Sequence, residues 1–263
     1  MNRIDQTFKK LRQHKKKAFI AFITAGDPNL KATHDLVLSF EKAGVDIIEL
    51  GVPFSDPMAD GPTIQASSLR ALQKGTTLKK VLDLVKRLRL KTQIPLCFMT
   101  YYNIIFHYGE EKFVKDAKAC GVDGIIIPDL PVHEAKTLRS FAQEFNLSTI
   151  FFVAPTTSND RIKSIAQASS GFIYYISLTG VTGVKQALPS SIIADLKRIK
   201  RITNKPVCVG FGISSALQVK AINRVADGVI VGSAIVKEIQ KCTKDKDLVS
   251  KIAKFVKSLS AAK

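Results

Sequence analysis

The chain has 263 residues, of which 46% are hydrophobic and 24% charged, and its formal net charge at pH 7 is +18. Its length suits two small domains or one barrel of alternating strands and helices, which takes roughly 250 residues. No run of 18 apolar residues occurs and the N-terminus lacks the apolar segment of a signal peptide, so we expect neither a transmembrane helix nor secretion.

Eight short apolar runs have the pattern of strands buried on both faces. We predict these strands at residues 18–24, 46–51, 95–100, 124–128, 148–153, 172–177, 206–211 and 228–232. Helical periodicity precedes the first strand and follows each strand. We predict these helices at residues 3–13, 30–43, 63–74, 77–90, 109–120, 133–145, 158–168, 189–203, 215–225 and 234–258, the last interrupted near residues 244–247.

This alternation indicates an α/β fold with a parallel sheet. Eight repeats in a chain of this length favour a (β/α)8 TIM barrel with an extra N-terminal helix. A doubly wound sheet is the alternative, but no GxGxxG motif follows the first strand. No linker or shift in composition divides the chain, so we expect a single domain over residues 1–263.

Glu49 lies near the end of the second predicted strand, where an apolar residue would pack better. Burying a charge costs several kcal/mol unless it is paired or neutralised, so such a residue is a candidate acid or base at the barrel mouth. The alternative is a rim carboxylate paired with Lys or Arg. Asp56 and Asp60 follow in a long loop, but Asp-Pro and Asp-Gly are also ordinary turn dipeptides, and spacing leaves their roles open.

Two matched Gly-Ser segments end the seventh and eighth predicted strands, at 210–215 and 232–233. In barrels, phosphate often binds between these two loops, because glycine lets the backbone approach an anion and a helix N-terminus follows. The alternative is that these glycines only form tight turns and bind no phosphate. Aromatic residues collect at the same mouth: Phe22, Tyr101 or Tyr102, Tyr174 or Tyr175, and Phe211. They are either core residues or the wall of a pocket for an aromatic phosphate.

The sequence has no clear motif for a metal site or for a serine nucleophile. The four histidines have no metal-ligand spacing, and neither an HExxH nor a G-x-S-x-G motif is present. The four cysteines are scattered, which is typical of free thiols in a reducing cytoplasm. Most lysines lie on predicted helix faces and read as solvated surface, while the cluster at residues 9–17 keeps RNA binding as an alternative.

The chain is similar to the α subunits of tryptophan synthase. The segments that carry this resemblance are residues 22–28, 49–65, 101–103, 180–183, 210–214 and 232–236. The resemblance implies a cytoplasmic carbon–carbon lyase of tryptophan biosynthesis that cleaves indole-3-glycerol phosphate to indole and glyceraldehyde 3-phosphate. It also implies a β-subunit partner in an α2β2 heterotetramer, with pyridoxal phosphate in that partner and no cofactor or metal in this subunit.

The family's site residues carry over to named positions. The implied catalytic residues are Glu49 and Asp60, and the implied partner contacts are Pro53 and Asp56. The implied substrate contacts are Phe22, Met99, Tyr101 and Tyr174 around the indole, Thr182 in the loop after the sixth strand, and Gly183, Phe211, Gly212, Gly232 and Ser233 around the phosphate. An isomerase or transferase with another phosphorylated substrate, and a non-catalytic activator of the β subunit, are the remaining alternatives.

Overall fold

The computed structural model describes residues 1–176, 189–210 and 212–263. Its strands are β1 Ala18–Thr24, β2 Ile47–Gly51, β3 Leu96–Met99, β4 Gly124–Ile126, β5 Ser148–Ile150, β6 Phe152–Val153, β7 Ile173–Ile176, β8 Val207–Gly210 and β9 Gly228–Val231. Its helices are α1 Arg3–Gln13, α2 Leu30–Lys42, α3 Pro62–Gln73, α4 Leu78–Arg89, α5 Tyr102–Tyr108, α6 Glu110–Cys120, α7 Lys136–Glu144, α8 Asn159–Ala168, α9 Ser190–Ile202, α10 Ala216–Asn223, α11 Ser233–Lys241 and α12 Leu248–Ser260.

The strands form one parallel sheet in the order β5-β4-β3-β2-β1-β9-β8-β7-β6. Its two edge strands, β5 and β6, are separated along the chain by Phe151 alone. The two edges therefore meet at one segment, and the sheet is a nearly closed barrel. The prediction of a TIM barrel is confirmed, with the fifth predicted strand divided in two where the sheet closes.

Side chains alternate between two hydrophobic cores. Outward-facing residues such as Phe19 and Ile48 pack against the surrounding helices. Inward-facing residues such as Ile20 and Ile47 form a second cluster inside the barrel, which Ile4 from α1 completes. The predicted N-terminal helix thus lies across the end of the barrel where the strands begin. With that end covered, the carboxyl ends of the strands are left for a binding site.

Two local differences and one agreement stand out between the predicted and the observed helices. α5 was not predicted, because its seven residues are too few to establish a helical period. α7 begins at Lys136 and not at residue 133. The predicted interruption of the last helix is real and separates α11 from α12. Among the described helices, none has the length and apolar character needed to cross a membrane.

Candidate active site

Glu49 is the most deeply buried acid at the barrel mouth, with no exposed surface. It stands on β2 between Phe22 of β1 and Cys97 of β3. Neither carboxylate oxygen has a hydrogen-bond partner among the described residues. Burial raises the pKa of Glu49 to about 8, because the charged form would lose its hydration without compensation. The side chain is therefore a neutral acid near pH 7 that can give up a proton.

Asp60 lies at the end of the loop between β2 and α3. The Tyr101 hydroxyl donates to Asp60 Oδ2 at 3.0 Å and accepts from the backbone N–H of Ala59, also at 3.0 Å. The ring of Phe54, from the same loop, stacks on Tyr101 with 5.3 Å between centroids. Burial raises the pKa of Asp60 to about 6, and the Tyr101 hydrogen bond opposes that shift. Asp60 therefore stays ionised at pH 7 and can accept a proton or a hydrogen bond.

Apolar side chains surround the buried acid. Phe22 pairs in register with Glu49, and Met99 pairs with Gly51. A Cβ atom at Gly51 would lie 2.6 Å from Cζ of Phe22, so this position leaves room for the phenyl ring. The mouth next to Glu49 thus has a flat apolar wall.

The structure also separates the paired tyrosine candidates. Tyr174 points into the barrel and packs against Phe152 at 4.8 Å between centroids. Burial, with added repulsion from Glu49 and Asp60, raises the pKa of Tyr174 well above its usual value. Tyr175 faces the opposite side, where its hydroxyl donates to Asp195 at 2.8 Å. Likewise Tyr101 contacts Asp60, whereas Tyr102 begins α5 and bonds Glu110. Tyr101 and Tyr174 therefore belong to the mouth.

The expected phosphate end lies where β8 and β9 run side by side. Gly212 follows β8 with φ +66°, a left-handed conformation that glycine adopts without strain. Gly232 caps the N-terminus of α11, and Ser233 is the first residue of that helix. Among the residues that the structure describes, no side chain caps α11, so the first N–H groups of this helix can bind an anion. The other predicted contacts here, Thr182, Gly183 and Phe211, lie outside the described residues.

The two predicted partner contacts differ in exposure. Pro53 is buried at the start of the loop, whereas Asp56 is exposed and accepts a hydrogen bond from Ser55 at 2.6 Å. Met58, two residues further on, is 84% exposed. The assignment of Pro53 and Asp56 to an interface stays a prediction.

Several residues of the site were not anticipated from the sequence. Phe54 stacks on Tyr101, Phe152 packs on Tyr174, and Gln65 donates to the backbone carbonyl of Asp60 at 2.9 Å. The single aromatic residue in the loop between β2 and α3 was an available signal for Phe54. No sequence pattern signals Phe152, since it reads as one more apolar residue of a buried strand.

Comparison with known proteins identifies the family. Residues 8–263 match the family model described as "Tryptophan synthase alpha chain". The tryptophan synthase alpha chain of Geotalea daltonii is 52% identical, with 99% of this chain and 98% of that protein covered. The structure resembles the tryptophan synthase alpha subunit of Legionella pneumophila, with a TM-score of 0.93, 37% identity and coverage of 100% and 98%.

A second solved structure comes from an assembly. It belongs to the tryptophan synthase α2β2 complex of Pyrococcus furiosus, with a TM-score of 0.87, 41% identity and coverage of 93% of this chain and 98% of that chain. The matches extend over nearly all of the chain in sequence and in structure. The chain therefore belongs to the tryptophan synthase alpha chain family.

Proposed function

We propose that this chain cleaves indole-3-glycerol phosphate to indole and glyceraldehyde 3-phosphate, with Glu49 as the proton donor and Asp60 as the partner of the indole N–H. The observation that carries this proposal is the state of Glu49, a fully buried carboxyl with no hydrogen-bond partner among the described residues. Buried polar groups are nearly always paired, so such a group is explained by a ligand that supplies the missing contact.

The reaction is a retro-aldol cleavage. A proton from Glu49 adds to C3 of the indole, and the ring nitrogen takes up the positive charge. The hydroxyl on the carbon attached to C3 loses its proton to the Glu49 carboxylate or to a water molecule. The bond between this carbon and C3 then breaks, its electrons restore the aromatic ring, and the former alcohol carbon becomes the aldehyde. Glu49 thus supplies a proton to the atom that must become the leaving carbon.

Asp60 has the complementary role. An ionised carboxylate beside the ring nitrogen accepts the N–H hydrogen bond, which strengthens as positive charge develops on the ring. The unlike pKa values of the two acids, about 8 for Glu49 and about 6 for Asp60, support this division of labour. Near pH 7 the first is protonated and the second is charged.

The rest of the pocket would hold the two ends of the substrate. We assign the indole to the wall formed by Phe22, Met99, Tyr101 and Tyr174. We assign the phosphate to the backbone at Gly212, Gly232 and Ser233, with Thr182, Gly183 and Phe211 as further expected contacts. Binding energy from the phosphate orients the reacting bond between the two carboxylates.

Family membership also bears on the partner. We infer that indole passes to a tryptophan synthase β subunit, that pyridoxal phosphate resides in that subunit, and that this chain works without a cofactor of its own. Exposed Met58 and Phe106, both on elements that follow barrel strands at the mouth, support an apolar contact there. The cytoplasm is the proposed location, since all four cysteines are free thiols.

The test is the Glu49→Gln variant. Glutamine keeps the shape of the side chain but cannot donate a proton in the same way, so turnover should fall by at least about a hundredfold. Binding of an indole alkyl phosphate that cannot be cleaved should persist. Turnover near the wild-type level would refute the assignment of Glu49, and loss of ligand binding would show that its role is structural.

A further inference from the structure

The position of Asp60 depends on helix α3, which begins two residues after it. The first turn of α3 holds the preceding segment directly. Gln65 Nε2 donates to the Asp60 carbonyl at 2.9 Å, and the backbone N–H of Gln65 donates to Gly61 at 3.0 Å. A displacement of α3 along or about its axis would therefore carry the Asp60 backbone with it.

Two side-chain contacts fix α3 to the end of β1 and the loop that follows. The Thr24 and Ser67 hydroxyl oxygens are 2.6 Å apart, and Ser67 donates its own proton to the Ile64 carbonyl at 2.8 Å, so Thr24 is the donor. Further along the helix, Arg70 makes two parallel hydrogen bonds to the Asp27 carboxylate, from Nε at 2.8 Å and from Nη2 at 2.7 Å.

The Asp27–Arg70 pair has the properties of a rigid link. Asp27 is 2% exposed although it lies in a loop, and Arg70 retains about a quarter of its side-chain exposure. A two-pronged contact between guanidinium and carboxylate fixes orientation as well as distance. Asp27 follows the strand that carries Phe22, and Arg70 belongs to the helix that follows Asp60. The pair thus joins the two segments that carry the apolar wall and the second acid.

We propose that Asp27 and Arg70 are positioning residues for Asp60, holding α3 so that the Asp60 carboxylate lies where it can accept the indole N–H. Neither residue touches the reacting atoms. This inference rests on the role proposed above for Asp60. It predicts that loss of the pair weakens recognition of the N–H group specifically, and leaves recognition of the phosphate and of the apolar ring intact.

The experiment compares two uncleavable ligands of the full chain, indole-3-propyl phosphate and its benzofuran counterpart, in which oxygen replaces the N–H. In wild type the indole ligand should bind at least about tenfold more tightly, the expected value of one hydrogen bond to a carboxylate. In Arg70→Met and in Asp27→Asn/Arg70→Met, this preference should fall towards one, while benzofuran affinity stays within about twofold. Arg70→Met leaves the Asp27 carboxylate buried without its partner, whereas the double variant also removes that charge. The double variant can therefore be measured if Arg70→Met does not fold.

The matched control is Arg89→Met. Arg89 pairs with buried Asp123 at 2.7 Å, as Arg70 pairs with Asp27, but at the opposite end of the barrel, where the strands begin. This variant should lose stability and keep the wild-type preference for the indole ligand. A wild-type preference retained in both Arg70 variants would overturn the positioning role. A wild-type chain that fails to distinguish the two ligands would instead refute the role of Asp60 itself.

Discussion

Glu49 is a fully buried carboxyl group and Asp60 a partly buried one, and their surroundings give them different protonation states. Glu49 has no hydrogen-bond partner among the described residues, whereas Asp60 accepts a hydrogen bond from the Tyr101 hydroxyl. A lone buried carboxyl is stable only as the neutral acid, and a donor makes the ionised form less costly. The chemical difference between the acids therefore follows from burial, which is complete for Glu49 and partial for Asp60, and from the Tyr101 hydroxyl that contacts only Asp60.

The pH dependence of kcat/KM should be bell-shaped. Glu49 must be protonated to act as the acid, so activity should fall as pH rises through about 8. Asp60 must be ionised, so activity should also fall as pH drops through about 6. The alkaline limb is the cleaner measurement, since the phosphate of the substrate itself titrates near pH 6. Constant kcat/KM up to about pH 9.5 would contradict a Glu49 acid with this raised pKa.

Replacing Tyr101 with Phe should move the acid limb upwards. The Tyr101 hydrogen bond lowers the pKa of Asp60, so its loss should raise that pKa and bring the limb closer to neutrality. The loop also loses the acceptor for the Ala59 N–H. The measurement is kcat/KM against pH for wild type and variant. Tyr102→Phe is the control, because the Tyr102 hydroxyl bonds Glu110 and not Asp60. An unchanged acid limb in Tyr101→Phe would contradict the contact.

Of the two proposed catalytic acids, only Glu49 could be identified from the pattern of the sequence. Glu49 could be identified because a charge inside an apolar strand breaks the local pattern. Asp56 and Asp60 could not be distinguished by spacing, since both occur in turn dipeptides. The structure distinguishes them through Tyr101, which is 41 positions away from Asp60. Contacts between residues so distant in the chain depend on the closed barrel, and no local pattern encodes them.

At the scale of elements, Gly51 at the end of β2 controls the space for the aromatic wall. A methyl group there would overlap the Phe22 ring, with Cβ 2.6 Å from Cζ. Gly51→Ala should therefore displace the Phe22 ring towards the substrate. Because a small displacement of a substrate-positioning group weakens productive binding, KM for indole-3-glycerol phosphate should rise by about tenfold. Gly51→Ala/Phe22→Leu restores space and should recover part of the loss. An unchanged KM in the single variant would contradict this packing.

Helices and strands with a long hydrophobic pattern were predicted correctly from the sequence, whereas the short helix α5 was not. The heptapeptide of β1 and the amphipathic α1 were predicted with the bounds that the structure has. α5, with seven residues rich in aromatic side chains, has too few turns to show a period. The break at Phe151 has no sequence signal, because Phe151 is as apolar as its neighbours. It arises from closure of the sheet, which is a property of the whole barrel.

For the molecule as a whole, the net charge of +18 includes one basic cluster at the floor of the barrel, away from the mouth. A groove of about 760 Å³ at the floor of the barrel, beside α1, is lined by Lys9, Arg12, Lys15, Lys16, Lys17 and Lys205, with Asp5 and Asp227 as its acids. Asp227 is already paired with Lys17 at 3.5 Å and with Lys200 at 3.0 Å. Within the described part of the chain, Lys9, Lys16 and Lys205 form no ion pair. Their mutual repulsion should therefore destabilise the folded state at low salt.

This repulsion predicts that the midpoint of thermal unfolding, Tm, rises with NaCl concentration. Between about 10 mM and about 150 mM salt the screening length falls from about 30 Å to about 8 Å, which weakens repulsion across the floor. Neutralising Lys9, Lys16 and Lys205 to Gln should raise Tm at low salt and flatten its dependence on salt. The matched control neutralises Lys31, Lys112 and Lys115, each of which pairs with a carboxylate one helical turn away. That control removes attractions and should not raise Tm, so equal gains in the two triple variants would contradict a repulsive floor.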